Sequence, residues 1–176
     1  MTNPKYPFRL NLGFLLPQQI AYSHEFPFDY PRLTITDDLE LRNFHGLVTV
    51  SRTPQGLLTQ GEFQGQLDLE CSRCLQSYEH TLEWEMAELY AFNSRSTTET
   101  DLILPDHGTI DIQEFIIEDA QLEIPINPIC KEDCQGLCQE CGTNLNLGDC
   151  GHEDIPPEEI SADEENSPFA GLKDFL

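Results

Sequence analysis

Residues 53–74 read TPQGLLTQGEFQGQLDLECSRC, and they contain a turn, a long strand pattern and a cysteine pair in direct succession. This stretch begins with Pro and Gly where a hairpin turn needs them. It continues in a long run from Gly56 to Glu70 that is typical of a returning strand, and it ends in a Cys-x2-Cys pair. The glycines Gly61 and Gly65 inside the run predict bulges or strong curvature. The stretch therefore predicts a long antiparallel strand that leads directly into a cysteine knuckle.

Strand patterns flank this stretch on both sides. Residues 8–12 and 39–44 alternate apolar and polar side chains with period two, and residues 47–50 are rich in β-branched side chains. Residues 78–92 alternate apolar side chains against glutamates. Three long consecutive antiparallel strands predict a curved sheet, like half a barrel, that buries one face and leaves acids on the other.

One main helix is predicted after a loop over residues 93–106. Residues 111–120 show helical spacing, and we expect Thr109 or Asp111 to cap the start. The apolar face of this helix consists of Ile112, Phe115, Ile116 and Ala120. Pro125 and Pro128 follow this segment and end the helix, because proline cannot continue it. We expect the helix to pack on the open face of the sheet, which makes the fold class α+β.

Composition divides the chain into three parts. Residues 1–129 are expected to form the α+β core, including the first Cys-x2-Cys pair, and residues 130–152 a Cys-rich zinc-binding segment. Residues 153–176 read as an acidic linker with a short apolar motif at its end. That motif consists of Phe169, Leu172, Phe175 and Leu176. Its spacing suits either a short helix that folds back on the sheet or a linear docking motif.

The chain is strongly acidic, since 9 Lys+Arg against 32 Asp+Glu give a formal charge of −23. Residues 1–110 contribute 7 − 15 = −8, and residues 111–176 contribute 2 − 17 = −15. Such a charge excludes a general electrostatic hold on a nucleic-acid backbone and disfavours anionic membranes. An acidic second half is typical of a solvated tail, or of a surface for a basic partner.

The expected compartment bears on the cysteines. No stretch approaches the roughly 18 apolar residues of a membrane span, and the first residues lack the apolar core of a secretory signal. We therefore expect a cytoplasmic protein, whose thiols serve metals or catalysis more often than disulfides. The chain has seven cysteines, and an odd number cannot all pair in disulfides within one chain.

The cysteines fall into closely spaced pairs that suit metal binding. Together with His152 they supply eight ligands, enough for two tetrahedral zinc sites. The favoured division places Cys71, Cys74, Cys130 and Cys134 in one site and Cys138, Cys141, Cys150 and His152 in the other. The second set closes a short loop at low entropic cost, and Gly142 after its knuckle permits a positive φ.

Alternatives to this division stay open. A rival division surrounds one ion with Cys130, Cys134, Cys138 and Cys141. It leaves Cys71 and Cys74 as a separate thiol pair, or with Cys150 and His152. Fewer metals, or a disulfide, also fit the spacing. Fully ligated, thiolate-rich sites favour structural over catalytic zinc, and no nucleotide-binding or hydrolase motif occurs.

Several of these motifs together resemble the YceD family of large ribosomal RNA subunit accumulation proteins. The resemblance rests on LECSRCL at residues 69–75, IPINPIC at 124–130, CQGLCQECGTNLN at 134–146 and the terminal PFA-x-L at 168–172. It implies an α+β, zinc-associated, non-enzymatic protein in the accumulation or processing of large-subunit ribosomal RNA. The chain departs from the commoner pattern at His152, where a cysteine is usual, and imidazole can replace thiolate on zinc.

The charge and the resemblance combine into one functional hypothesis. We expect a ribosome-biogenesis factor that handles a basic ribosomal protein on an acidic face. Contact with ribosomal RNA or a pre-ribosomal particle is then indirect, or local through Arg42, Arg52, Arg73 and exposed aromatic rings. The competing hypotheses are a thiol oxidoreductase that uses Cys71 and Cys74 and a zinc-ribbon regulator that binds DNA, which the charge disfavours.

Overall fold

The computed structural model describes residues 7–36, 39–97 and 101–152. The strands are β1 (Arg9–Asn11), β2 (Ser23–Thr36), β3 (Leu39–Arg52), β4 (Gly56–Glu70), β5 (Ser77–Ala91) and β6 (Thr109–Asp111). The helix α1 spans Gln113–Glu123, and a 3-10 helix spans Gly13–Leu15. The predicted acidic linker and terminal apolar motif, residues 153–176, lie outside the described residues.

The four long strands form one antiparallel sheet in the order β2-β3-β4-β5, and β1 pairs with β6 in a separate two-stranded sheet. The predicted α+β class is confirmed, and the sheet is not a closed barrel. The three predicted long strands are β3, β4 and β5, which pair in that order, and the prediction missed β2 as a fourth. This strand contains Pro27 and Pro31, which hide its pattern in the sequence. Its position at the edge of the sheet explains why it tolerates proline.

One of the two glycines lies at a bulge, as predicted. β4 pairs with β5 without a break along its whole length, but the register of the β3–β4 pair shifts between Arg42 and His45, opposite Gly65. Both glycines also make room for the core. A Cβ on Gly61 would lie 2.5 Å from the ring of Phe63, and Gly65 likewise faces the interior. Small side chains at these positions let large ones occupy the inner face.

One hydrophobic core joins the inner face of the large sheet to β1, β6 and α1. The ring of Phe44 lies 5.9 Å from the rings of both Phe63 and Trp84. Each fully buried side chain of this size contributes about 1.5–3 kcal/mol to folding. The helix buries Ile116 and Ala120 in the same core, as its spacing predicted.

The start of α1 differs from the prediction. Ile112 occupies the N-cap position, and its hydrocarbon side chain, which cannot accept a capping hydrogen bond, is buried in the core. Asp111 lies one residue earlier, where its Oδ1 accepts a hydrogen bond from the backbone N–H of Gln113 at 3.1 Å. Thr109 belongs to β6. Asp111, one of the two expected caps, therefore satisfies the first N–H of the helix from one residue before the N-cap.

Candidate metal centre and acidic sheet face

The first predicted set of ligands comes together beside the turn between β4 and β5. We call Cys71, Cys74, Cys130 and Cys134 the inner cluster. Its sulfur atoms all lie within 4.8 Å of one another, with Cys71 and Cys134 separated by 3.8 Å and Cys74 and Cys130 by 3.7 Å. A tetrahedron of sulfurs about 2.3 Å from zinc has edges of about 3.8 Å. The inner cluster can therefore hold a metal ion.

Backbone hydrogen bonds build the inner cluster. The N–H of Leu75 donates to the carbonyl of Cys71 at 2.9 Å, which closes the first knuckle, and Leu75 adopts a positive φ of 57° to do so. The N–H of Ser72 donates to the carbonyl of Pro128 at 2.8 Å. This bond ties the knuckle to the segment that follows α1, where the other two cysteines lie. Cys71, Cys74 and Cys134 are buried there.

The second predicted set comes together in the loop that follows. We call Cys138, Cys141, Cys150 and His152 the outer cluster. Its ligand atoms also lie within 4.8 Å of one another, with 3.9 Å between Cys138 Sγ and His152 Nδ1. The N–H of Gly142 donates to the carbonyl of Cys138 at 2.9 Å, and Gly142 has the predicted positive φ, at 71°. Cys141 and His152 are exposed, so this cluster lies at the surface.

The thiols in each cluster differ in acidity. Burial opposes ionisation of Cys71, but hydrogen bonds from the backbone of Cys74, Cys130 and Arg73 lower its pKa to about 6. Burial and the neighbouring sulfurs raise the pKa of Cys130 to about 12. The hydroxyl and backbone of Thr143 lower the pKa of Cys141 to about 6. Four thiolates in one cluster repel one another, so a complete set of thiolates requires a cation among them.

The structure groups the eight side chains in the division that the sequence analysis favoured. The rival division requires Cys130 and Cys134 to meet Cys138 and Cys141 around one ion, and the structure places these two pairs in different clusters. All seven cysteines are free thiols. The donor chemistry, S4 in one cluster and S3N in the other, fits the sets that structural zinc prefers.

A second feature is the outer face of the large sheet, which is rich in carboxylates. We call it the acidic sheet face. Alternation along the strands places exposed acids from all four strands on this face. They are Glu25, Asp29, Glu40, Glu62, Asp68, Glu70, Glu79, Glu83 and Glu85.

Like charges face each other at the centre of the acidic sheet face. Glu62 on β4 pairs directly with Glu85 on β5, and Glu83 accepts a hydrogen bond from Gln64 at 3.0 Å. These residues line a shallow hollow of about 440 Å³ together with the exposed Leu47. Within the described parts of the chain, no Lys or Arg forms an ion pair with these three glutamates. Like charges directly opposite each other on paired strands destabilise a sheet.

The arginines expected to contact RNA are engaged within the chain. Arg42 forms ion pairs of 2.6 and 3.1 Å with two acids of the acidic sheet face. Arg52 donates to the carbonyl of Leu16 at 3.1 Å and lies over an aromatic ring at 5.2 Å. Arg73 donates to the carbonyl of Cys134 at 3.1 Å. Sequence reasoning missed these contacts because they join residues far apart along the chain.

Comparison with known proteins adds to this geometry. The family model described as large ribosomal RNA subunit accumulation protein YceD matches residues 59–176. The chain belongs to the YceD family. The match covers β4 from residue 59 onward, β5, α1 and both cysteine clusters. The resemblance drawn from the cysteine motifs is therefore confirmed.

Individual YceD relatives are less informative about function. An uncharacterized protein of Mycobacterium tuberculosis is 33% identical over 126 residues, 68% of this chain and 57% of its own length. One of Mycobacterium leprae is 35% identical over 101 residues, 54% of this chain and 46% of its own length. The chain thus spans only about half the length of these relatives.

One plant relative carries a functional name. The chloroplastic large ribosomal RNA subunit accumulation protein YCED homolog 1 of Arabidopsis thaliana is 44% identical over 52 residues, 28% of this chain and 16% of its own length. No solved structure gave a significant match. Among the described residues, no helix is both long and apolar enough to cross a membrane.

Proposed function

We propose that this chain is a zinc-stabilised, non-enzymatic factor in the accumulation of large-subunit ribosomal RNA, and that it acts by binding a basic ribosomal protein. Membership of the YceD family supports the ribosomal RNA part. The observation that carries the mode of action is the direct pairing of Glu62 with Glu85 on the acidic sheet face. A ribosome-assembly role places the protein where ribosomes are built, which in a bacterium is the cytoplasm.

The acidic sheet face fits a Lys- or Arg-rich partner. Glu62 and Glu85 repel each other in the free protein, and a cationic side chain between them would remove that repulsion. The exposed Leu47 beside the hollow offers an apolar contact for the stem of a lysine or arginine. A basic ribosomal protein held in this way would be shielded until ribosomal RNA receives it.

Direct RNA binding by a basic groove has less support. The net charge is −23, and Arg42, Arg52 and Arg73 each contact groups of the chain itself. Local stacking on the exposed rings of Phe14 and Tyr22 is compatible with the structure. RNA contact is therefore proposed as secondary to the protein contact.

The thiol oxidoreductase hypothesis also has less support. Cys71 is 0% exposed and Cys74 is 4% exposed. A substrate disulfide must reach the attacking sulfur, so burial of both sulfurs works against exchange. The same sulfurs are spaced as ligands of one metal ion. We propose two structural zinc ions, one in each cluster, and mass spectrometry of the purified full-length chain tests this by counting zinc per chain.

The partner proposal is tested with a charge variant. The triple variant Glu62→Gln, Glu83→Gln, Glu85→Gln removes the central acids of the acidic sheet face. The matched control neutralises the exposed Glu114, Glu118 and Glu132, so that both variants change the net charge equally. Purified basic proteins of the large ribosomal subunit serve as probes in a binding titration at two salt concentrations. We expect the triple variant to lose at least about tenfold in affinity while the control loses less than about threefold.

Two outcomes would overturn separate parts of the proposal. Equal loss of affinity in both variants would overturn the specific role of the acidic sheet face, because the net charge alone would then account for binding. Normal large-subunit ribosomal RNA levels in cells that lack the protein would overturn the ribosomal RNA role. Complementation of such cells by the wild type but not by the triple variant is the expected result.

A further inference from the structure

Asn146 joins the two cysteine clusters through its side chain. It lies in the outer-cluster loop, between Cys141 and Cys150. Its Nδ2 lies 3.3 Å from the Sγ of Cys134, a member of the inner cluster. Its Oδ1 accepts a hydrogen bond from the backbone N–H of Gln135 at 3.0 Å. One side chain of the outer loop therefore contacts both a sulfur of the inner cluster and the backbone beside it.

The hydrogen-bond network fixes the orientation of this amide. The N–H of Gln135 can only donate, so the oxygen of Asn146 must face it and the NH2 group must face the sulfur. The same NH2 group donates to Asn144 Oδ1 at 2.9 Å. Asn146 is thus a donor to Cys134 in the only arrangement that satisfies its neighbours.

The backbone holds the loop in this place. The N–H of Leu145 donates to the carbonyl of Gly136 at 3.0 Å, and Leu137 and Asn144 form an antiparallel bridge. The loop that carries the outer ligands therefore returns along the segment that carries Cys134. The position of the amide against the inner sulfur therefore depends on the position of the outer loop.

A donor to a ligating sulfur affects how tightly a metal is held. Four thiolates around one divalent cation leave a net charge of −2, and an N–H group aimed at a sulfur stabilises that charge and orients the ligand. Removing such an outer-shell partner typically costs about 10–100-fold in metal affinity. The contact of Asn146 with Cys134 has the chemistry of such a partner.

We propose that Asn146 couples the two metal sites, so that a metal in the outer cluster strengthens binding of a metal in the inner cluster. The proposal rests on zinc binding as proposed above. A metal in the outer cluster holds the loop closed and the amide against Cys134. Because coupling between two binding sites is reciprocal, a metal in the inner cluster strengthens the outer site by the same factor.

The test measures release of the inner metal from the full-length protein loaded with two metals. Cadmium-113 replaces zinc, since its NMR signal distinguishes an S4 site from an S3N site, and a chelator in excess drives release. The outer site is disabled by Cys141→Ser with Cys150→Ser. The amide donor is removed by Asn146→Asp, which keeps the acceptor for Gln135, and by Asn146→Ala. Exposed Asn127→Ala is the matched control.

We expect each change to accelerate loss of the inner metal by about tenfold. Combined in one chain, the outer-site change and Asn146→Ala should cost no more than either alone, because both break the same link. Independent, multiplying effects would overturn the coupling, as would an unchanged release rate in the outer-site variant. A wild-type chain that binds fewer than two metals would overturn the zinc proposal as well. A chain with two metals that is insensitive to Asn146 would overturn the coupling alone.

Discussion

The two cysteine clusters have similar ligands but opposite places in the fold. The inner cluster joins distant segments, since Cys71 and Cys134 are 63 residues apart, and three of its four cysteines are buried. The outer cluster is exposed, and Cys138 and His152 are 14 residues apart. Closing the longer loop restricts the unfolded chain by about 1.3 kcal/mol more than closing the shorter one. The inner cluster therefore belongs to the core fold, and the outer cluster organises its own loop.

The knuckles of the two clusters share a backbone turn but not a sequence. In each, the residue after the second cysteine has a positive φ and donates its N–H to the carbonyl of the first cysteine. Gly142 adopts this conformation without strain, whereas the β-carbon of Leu75 makes a positive φ sterically unfavourable. The side chain of Leu75 is 56% exposed.

The largest expected effect is loss of an inner ligand. Cys74→Ser should lower the unfolding free energy of the zinc-loaded chain by about 4 kcal/mol or more, because it removes a buried metal site that ties the sheet to the segment after α1. Urea unfolding followed by circular dichroism measures this. Ser72→Ala, an exposed change in the same knuckle, should stay within about 0.5 kcal/mol of the wild type.

A smaller effect is expected from the outer cluster. Cys141→Ser should remove one metal per chain and lower the unfolding free energy by only about 1 kcal/mol, since this ligand is exposed and closes a local loop. Metal content and the same urea titration measure both quantities. A loss as large as that of Cys74→Ser would break the comparison, because it would make the outer cluster part of the core fold.

The smallest effects come from exchanging the knuckle residues. Gly142→Ala should weaken cadmium binding at the outer site by about 1 kcal/mol without abolishing it, because no atom lies within 4 Å of the new β-carbon and the cost is conformational alone. Leu75→Gly should change the unfolding free energy by less than about 1 kcal/mol, since relief of the positive φ offsets the extra freedom of glycine in the unfolded chain. Cadmium affinity of the outer site and urea unfolding measure the two effects. If Leu75→Gly lowers the unfolding free energy by as much as Gly142→Ala lowers the free energy of cadmium binding, then side-chain contacts and not φ decide both turns.

Local patterns in the sequence predicted much of this architecture. The strand predicted from Gly56 to Glu70 coincides with β4, and the helix predicted over residues 111–120 lies within two or three residues of α1 at each end. Period two and helical spacing are local signals that survive in the folded chain. β2 escaped this reasoning because an edge strand tolerates proline and needs little alternation.

The candidate site was predictable to the level of its ligands. Cysteine spacing limits which thiols reach one ion, so the eight side chains and their favoured division could be read from the sequence. The partners around them could not be read. Asn146 contacts Cys134 only because the outer loop folds back on the segment beside it, and Arg73 reaches the carbonyl of the same cysteine from 61 residues away.

The sequence alone determined the strand-rich core, the cysteine pairs and the net charge of −23. Two contacts depend on how the chain folds in three dimensions: Glu62 lies opposite Glu85, and the sulfur of Cys134 lies against the amide of Asn146. The physical reason is register. A slip of one residue between two strands moves every side chain to the other face, so the position of the acids depends on pairing that no local pattern specifies.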